Sequence, residues 1–130
     1  MTSAKTVLII EDDASLRYAL ANKCKSAGLN VLEATEGESG LQRALLEHPD
    51  LILLDLLLPQ RDGMSVVTDL RKDPWGKTAK VIILSNMSET EKVAEALEHR
   101  VFEYRVKSDV AIDSVLESIR SHLGIEVAKK

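Results

Sequence analysis

Two hydrophobic periods take turns along the chain. Val7-Leu8-Ile9-Ile10 is a short unbroken apolar run, partly β-branched, which predicts a strand covered on both faces. Glu11-Asp12-Asp13 ends it. A helical spacing follows, with Leu16, Ala19, Leu20, Lys23, Cys24 and Ala27 on one face and Gly28 as the stop. The alternation then repeats. Val31-Leu32-Glu33-Ala34 predicts a second strand, and Glu38 to Glu47 a helix that turns Leu41, Ala44 and Leu45 inward, with Pro49 just beyond. Leu51-Ile52-Leu53-Leu54 is the most hydrophobic strand and the candidate for the middle of the sheet. A third helix is predicted from about Ser65 to Lys72, closed by Asp73-Pro74. Val81-Ile82-Ile83-Leu84 predicts a fourth buried strand, and Ser88 with Glu91 has the spacing of a capping box for the next helix. Glu103 to Val106 reads as a weaker fifth strand. Asp109 to Leu123 reads as a final amphipathic helix, with Ile112, Val115, Leu116, Ile119 and Leu123 on one side.

Five strand–helix units with short connections predict an α/β fold, a parallel sheet with helices on both faces joined by right-handed crossovers. The length suits one domain over residues 1–130, with its core at about 5–123 and loose ends at the first few residues and at Glu126 to Lys130. A formal charge of −4 argues against direct nucleic-acid binding, which needs a basic footprint. Cys24 is alone, so no internal disulfide can form, and a reducing, cytoplasmic setting is expected. The apolar run before Glu11 is too short for a signal peptide. No stretch reaches the roughly 18 apolar residues of a membrane span, so no membrane partner is expected.

The acids fall where chemistry is expected. Glu11, Asp12 and Asp13 lie just past the first strand and Asp55 just past the third. Open α/β sheets bind ligands outside the carboxyl ends of their strands. Carboxylates gathered there repel one another, so an oxygen-loving cation is expected between them. Mg²⁺ fits, because it accepts a few carboxylates, keeps some waters and leaves room for a phosphate oxygen. Ser85 follows the fourth strand and Lys107 the fifth, supplying a hydroxyl donor and a positive charge for the same oxygens. One Asp at a strand end is usually a helix cap or turn residue. The weight lies in acid pair, lone Asp, hydroxyl and lysine at successive strand ends of one small domain.

With these residues in place the chain resembles the receiver domain of bacterial response regulators, from about Lys5 to Leu123. Glu11-Asp12 matches the family's acidic pair, with Asp13 as the further acid that often follows. Asp55, Pro59 and Asp62-Gly63 match the phosphoacceptor motif, Ser85 the hydroxyl after the fourth strand, Tyr104 the switch aromatic and Lys107 the lysine. The resemblance implies a flavodoxin-like, doubly wound sheet with strand order 2-1-3-4-5. It implies that Asp55 is the phosphoacceptor, and that Mg²⁺ is held by Asp12, Asp55 and the backbone carbonyl of Leu57, with Glu11 acting through a water. It implies a histidine kinase or phosphotransfer domain as donor, and a switch in which Ser85, Lys107 and Tyr104 reshape the surface of the fourth helix, fifth strand and fifth helix. Leu57 and Met87 would flank the approach of water to the phosphorylated site. The downstream effector is not named by the sequence. Glu117 beside Arg120 on the last helix leaves open whether phosphorylation forms a homodimer.

Two departures from the family pattern stand out. Lys107 is followed by Ser108 rather than Pro, which predicts a trans bond. Arg100, Val101, Phe102 and Glu103 replace the usual Gly-Ala and small acids, removing the glycine that ends the fourth helix. Phe102 is then either an exposed partner contact or a core residue in place of a smaller one. A phosphohydrolase with an aspartyl-phosphate intermediate would need an acid two residues after the nucleophile, where Leu57 stands. A flavin protein would need a phosphate loop where Glu11-Asp12-Asp13 would repel it.

Overall fold

The three unbroken apolar runs form the middle of a five-stranded parallel sheet. The computed structural model of the protein describes residues 4–58, 61–86, 90–107 and 111–124. In chain order the elements are β1 (Thr6–Ile10), α1 (Ala14–Ser26), β2 (Asn30–Ala34), α2 (Gly37–Glu47), β3 (Leu51–Leu54), α3 (Gly63–Leu70), β4 (Val81–Ser85), α4 (Thr90–Glu98), β5 (Glu103–Val106) and α5 (Ile112–Leu123). A short 3₁₀ turn, Gly76–Thr78, precedes β4. The strand order is β2-β1-β3-β4-β5, as the resemblance implies, and the fold is flavodoxin-like. Pairing sets Ile10 beside both Ala34 and Leu54, and Ser85 beside Val106, so all five carboxyl ends open on one side of the sheet.

The continuous hydrophobic runs are explained by burial on two faces. Val7, Ile9, Leu51, Leu53, Ile82 and Leu84 pack on α1 and α5. Leu8, Ile10, Ile52, Leu54, Val81 and Ile83 pack on α2, α3 and α4. On α1 the inward face differs from the expected one. Leu20, Ala21 and Cys24 are buried, while Ala19 is half-buried and Lys23 is exposed and pairs with Asp113 of α5 at 2.8 Å. The seam is centred one position further round the helix, because α1 packs against α5 as well as against the sheet. Burial pushes the Cys24 thiol up to about 11, which keeps it protonated.

Other boundaries shift by a turn or less. α3 starts at Gly63 rather than about Ser65, because Asp62 accepts the Ser65 N–H at 2.9 Å and caps the helix earlier. α5 starts at Ile112 rather than Asp109, since Ala111 is extended. Ser88, the expected cap of the fourth helix, and Asp109 lie outside the described residues, as do residues 126–130. The missing glycine after α4 is replaced by Arg100, which takes the left-handed conformation at φ 62°. Val101 then fills the core and Phe102 stays 43 % exposed, its ring edge-on to His122. Phe102 is thus at the surface rather than in the core.

β5 is an edge strand, and its face toward α5 is polar. The Glu103 carboxylate accepts from Ser118 at 3.0 Å, lies 2.9 Å from His122 Nε2, and pairs with Arg105, which in turn donates to Ser114 and Ser118. Burial would raise the Glu103 pKa, but the hydrogen bonds from His122 and Ser118 and the Arg105 charge outweigh it and hold it below the usual value. A lowered folded pKa contributes stability above the unfolded value, about 4.3, that is lost as pH falls through the folded value. Melting of the parent and Glu103→Gln between about pH 3 and pH 6 should show the parent's advantage shrinking below about pH 4.3. An advantage constant across that range would refute the ion-paired role.

Candidate functional site

Three strand ends deliver side chains into the same opening. Glu11 follows β1, its N–H still paired to Ala34 O at 3.0 Å, and its carboxylate is buried. Asp55 follows β3, its N–H donating to Ile10 O at 3.1 Å, and it too is buried. Lys107 follows β5 and reaches back across the opening. Its Nζ lies 2.9 Å from Glu11 Oε1 and 3.0 Å from Asp55 Oδ2. The other Asp55 oxygen accepts the Leu57 N–H at 3.1 Å. Asp12 is exposed at the rim.

Glycine at position 63 is dictated by this geometry. A Cβ there would fall 2.5 Å from Asp55 O and 2.8 Å from Leu56 Cα, so the Asp62-Gly63 pair lets α3 start directly beneath the Asp55 backbone. Asp13, in contrast, points away from the opening. Its Oδ1 accepts the N–H groups of Ser15 at 3.0 Å and Leu16 at 3.4 Å, so it caps α1.

Burial raises the Glu11 pKa, a shift opposed by the hydrogen bonds from Lys107 and from the Asp13 N–H and reinforced by the Asp55 charge. Lys107 is also desolvated, which would lower its pKa, but the hydrogen bonds and charges of Glu11 and Asp55 raise it. The lysine is therefore a fixed cation shared by two buried carboxylates. One oxygen from each of Glu11, Asp12 and Asp55 lies within 4.8 Å of the others. Hard oxygen donors so grouped, two buried and one at the rim, fit a small divalent cation. The pocket could bind a metal.

The remaining predicted residues are placed around this centre. Ser85 is the last residue of β4 rather than the first beyond it, and is fully buried. Tyr104 lies on β5 opposite Ile83, half-buried against the α2–α3–α4 side of the core. Leu57 is 54 % exposed. Pro59, Met87 and the Lys107–Ser108 bond fall on or next to residues outside those described. Two arginines escaped the sequence reading. Arg17 on α1 donates to Glu11 O at 3.0 Å and to Glu33 Oε1 at 3.1 Å. Arg61 ties the β3–α3 connection to Glu38 on α2 and to Ser65 and Asp69 on α3. Neither lies at a strand end, where sequence alone signals chemistry.

Comparison with known proteins agrees on one family. The model of the response regulator receiver domain matches residues 7–120. The KDP operon transcriptional regulatory protein KdpE of Escherichia coli is 36 % identical over 88 residues, which is 68 % of this chain and 38 % of that protein. The chain spans about two-fifths of the length of the curated relatives it matches, 41 % and 42 % in the probable transcriptional regulators ycf27 of Porphyridium aerugineum and Cyanophora paradoxa. Among solved structures, the Francisella response regulator 1452 receiver domain shares 27 % identity with a TM-score of 0.84, covering 92 % of this chain and 97 % of that one. A CheY-like receiver domain protein from Methanospirillum hungatei superposes with a TM-score of 0.87 at 24 % identity, covering 94 % and 95 %, which speaks to the fold.

Proposed function

The chain belongs to the response regulator receiver domains of two-component signalling, and on that premise we propose that Asp55 is its phosphoacceptor. The observation that carries this is the Lys107 ammonium held 3.0 Å from Asp55 and 2.9 Å from Glu11 in a pocket rimmed by Asp12. An Asp55 oxygen attacks the phosphorus of a phosphohistidine or an acyl phosphate. The new O–P bond forms as the donor's N–P or O–P bond breaks, and the histidine nitrogen or acyl carboxylate leaves with the electron pair.

Positioning and charge neutralisation are most of what such a transfer needs. The Leu57 N–H fixes the Asp55 carboxylate plane, and Lys107 offers its charge to the incoming phosphoryl oxygens. Mg²⁺, held by Asp12, Asp55 and the Leu57 carbonyl with Glu11 acting through a water, would neutralise the remaining charge. Ser85 then hydrogen-bonds the phosphoryl group and Tyr104 turns inward. The readout is the surface of α4, β5 and α5, which already exposes Leu97 and Phe102. The donor is a histidine kinase or phosphotransfer domain. A cytoplasmic location accords with that donor and with a single free thiol.

The test is intact mass after incubation with acetyl phosphate and Mg²⁺. One phosphoryl group should be gained, and none in Asp55→Asn or in excess chelator. A gain that survives either change would overturn the reading.

The phosphorylated state should decay slowly. Hydrolysis needs a water in line with the scissile bond, and the exposed Leu57 has no group to orient one. Met87, assigned to the other flank by resemblance, has none either. Replacing Leu57 by Asn together with Met87 by Glu should speed phosphoryl loss by about tenfold, which is about 1.4 kcal/mol of barrier. The measurement is phosphoryl loss with time after the donor is removed. A parent that decays within seconds, or a slower double variant, would contradict this.

A further inference from the structure

We propose that Arg17 is a positioning residue for the metal-binding carboxylates, fixing the backbone that aims Glu11 and Asp12 across the pocket. The inference rests on the proposed reading of that pocket and concerns how its acids are held.

β1 pairing ends at Glu11, whose N–H bonds Ala34 O. Its carbonyl then faces α1, and Arg17 Nη1 donates to it at 3.0 Å while Nε donates to Glu33 Oε1 at 3.1 Å. One guanidinium thereby ties the first turn of α1, the end of β1 and the edge strand β2 together. Asp12 is the next residue, and no hydrogen bond to its carboxylate is found among the described residues. Its aim is set by the peptides on either side. On one side Arg17 holds the Glu11 carbonyl. On the other, Asp13 is fixed by its own N–H bond to Glu11 Oε2 at 3.1 Å and by its cap on α1. The Arg17 side chain is 19 % exposed and the planar fork meets a carbonyl and a carboxylate at fixed spacing. An ammonium offers a single point of charge and cannot reproduce both bonds.

Positioning and charge predict opposite signs here. Arg17 is a cation near a cation site, so by charge alone its removal should tighten Mg²⁺ binding. A positioning role requires the reverse, since partners that orient metal ligands typically contribute about tenfold or more to affinity. Arg17→Lys keeps the charge and loses the fork, so charge alone predicts no change in that variant.

The experiment titrates MgCl₂ into the parent, Arg17→Lys and Arg17→Ala, following backbone amide shifts of Glu11 to Asp13 and Asp55 to Leu57. Both variants should bind Mg²⁺ about tenfold more weakly, and their labelling by acetyl phosphate should return to the parent rate once Mg²⁺ is saturating. Parental affinity in Arg17→Lys, tighter binding in Arg17→Ala, or a labelling rate that excess Mg²⁺ does not restore would each overturn the proposal. A parent whose amides do not respond to Mg²⁺ would overturn the reading of the pocket itself, which separates the two failures.

Discussion

Arg71→Met should lower the stability of the domain by about 3 kcal/mol. Arg71 is a buried arginine at the end of α3, and its guanidinium donates to four backbone carbonyls. Nη1 bonds Gly76 O at 2.7 Å and Ala79 O at 2.8 Å, while Nε bonds His99 O and Nη2 bonds Arg100 O, both at 2.9 Å. Burial first, and the Arg100 charge second, pull its pKa down, so the site is tolerated only because the carbonyls surround it. Methionine fills much of the volume and satisfies none of them. It also releases the left-handed turn at Arg100, which a non-glycine residue holds only where its surroundings fix it. Against a typical total of about 5–15 kcal/mol this is a large loss. In urea the midpoint should fall by about 1 M or more with the slope unchanged. Arg71→Lys should recover little, since one ammonium cannot span four acceptors. Arg71 sits at the amino ends of β4 and β5, opposite the acidic pocket, so the folded variant should still be phosphorylated. A loss below about 1 kcal/mol would show that water or neighbouring groups replace the guanidinium.

The second large effect is expected from Lys107→Ala. It leaves Glu11 and Asp55, 3 % and 4 % exposed at their side chains, facing each other without their shared cation. Without metal the variant should lose about 3 kcal/mol, the usual result of removing one partner from a buried ion pair. Mg²⁺ should bind it at least as tightly as the parent, because a competing positive charge is gone. Added Mg²⁺ should therefore raise the variant's melting temperature more than the parent's. Phosphorylation should nevertheless fail to shift the amide resonances of β5 and α5, because the phosphoryl group lacks its ion-pair partner. Much weaker Mg²⁺ binding in the variant would mean that the lysine supports the metal ligands rather than competing with the metal.

The difference between Lys107 and Arg71 shows what the sequence could carry. Asp55 and Glu11 each end an apolar run and Lys107 ends the weaker fifth strand, and the fold rule that strand ends gather on one side brings them together without knowledge of any contact. The parallel arrangement follows from the alternation of strands and helices, while the strand order is what the resemblance implies. Arg71 obeys no such rule. Its partners His99 and Arg100 lie 28 and 29 residues away, and they are main-chain carbonyls, which leave no trace in residue type. Arg17 is hidden for the same reason, since one of its two acceptors is the Glu11 carbonyl. The inward face of α1 is ambiguous in the sequence because Ala19 and Ala21 are identical in type, and only the seat of α5 decides between them. Glu103 and Arg105 read as a weak strand, which they are. Their polar pattern suits an edge strand whose helix answers with Ser114, Ser118 and His122.

The most direct test of the central claim is to locate the phosphoryl group. Borohydride reduction of the protein after acetyl phosphate and Mg²⁺ treatment converts an aspartyl phosphate to homoserine, which peptide mapping assigns to a position. The account predicts homoserine at position 55 alone, and none when chelator is present during labelling. Modification at Glu11 or Asp12, or phosphate retained on a serine or histidine with position 55 unchanged, would contradict it.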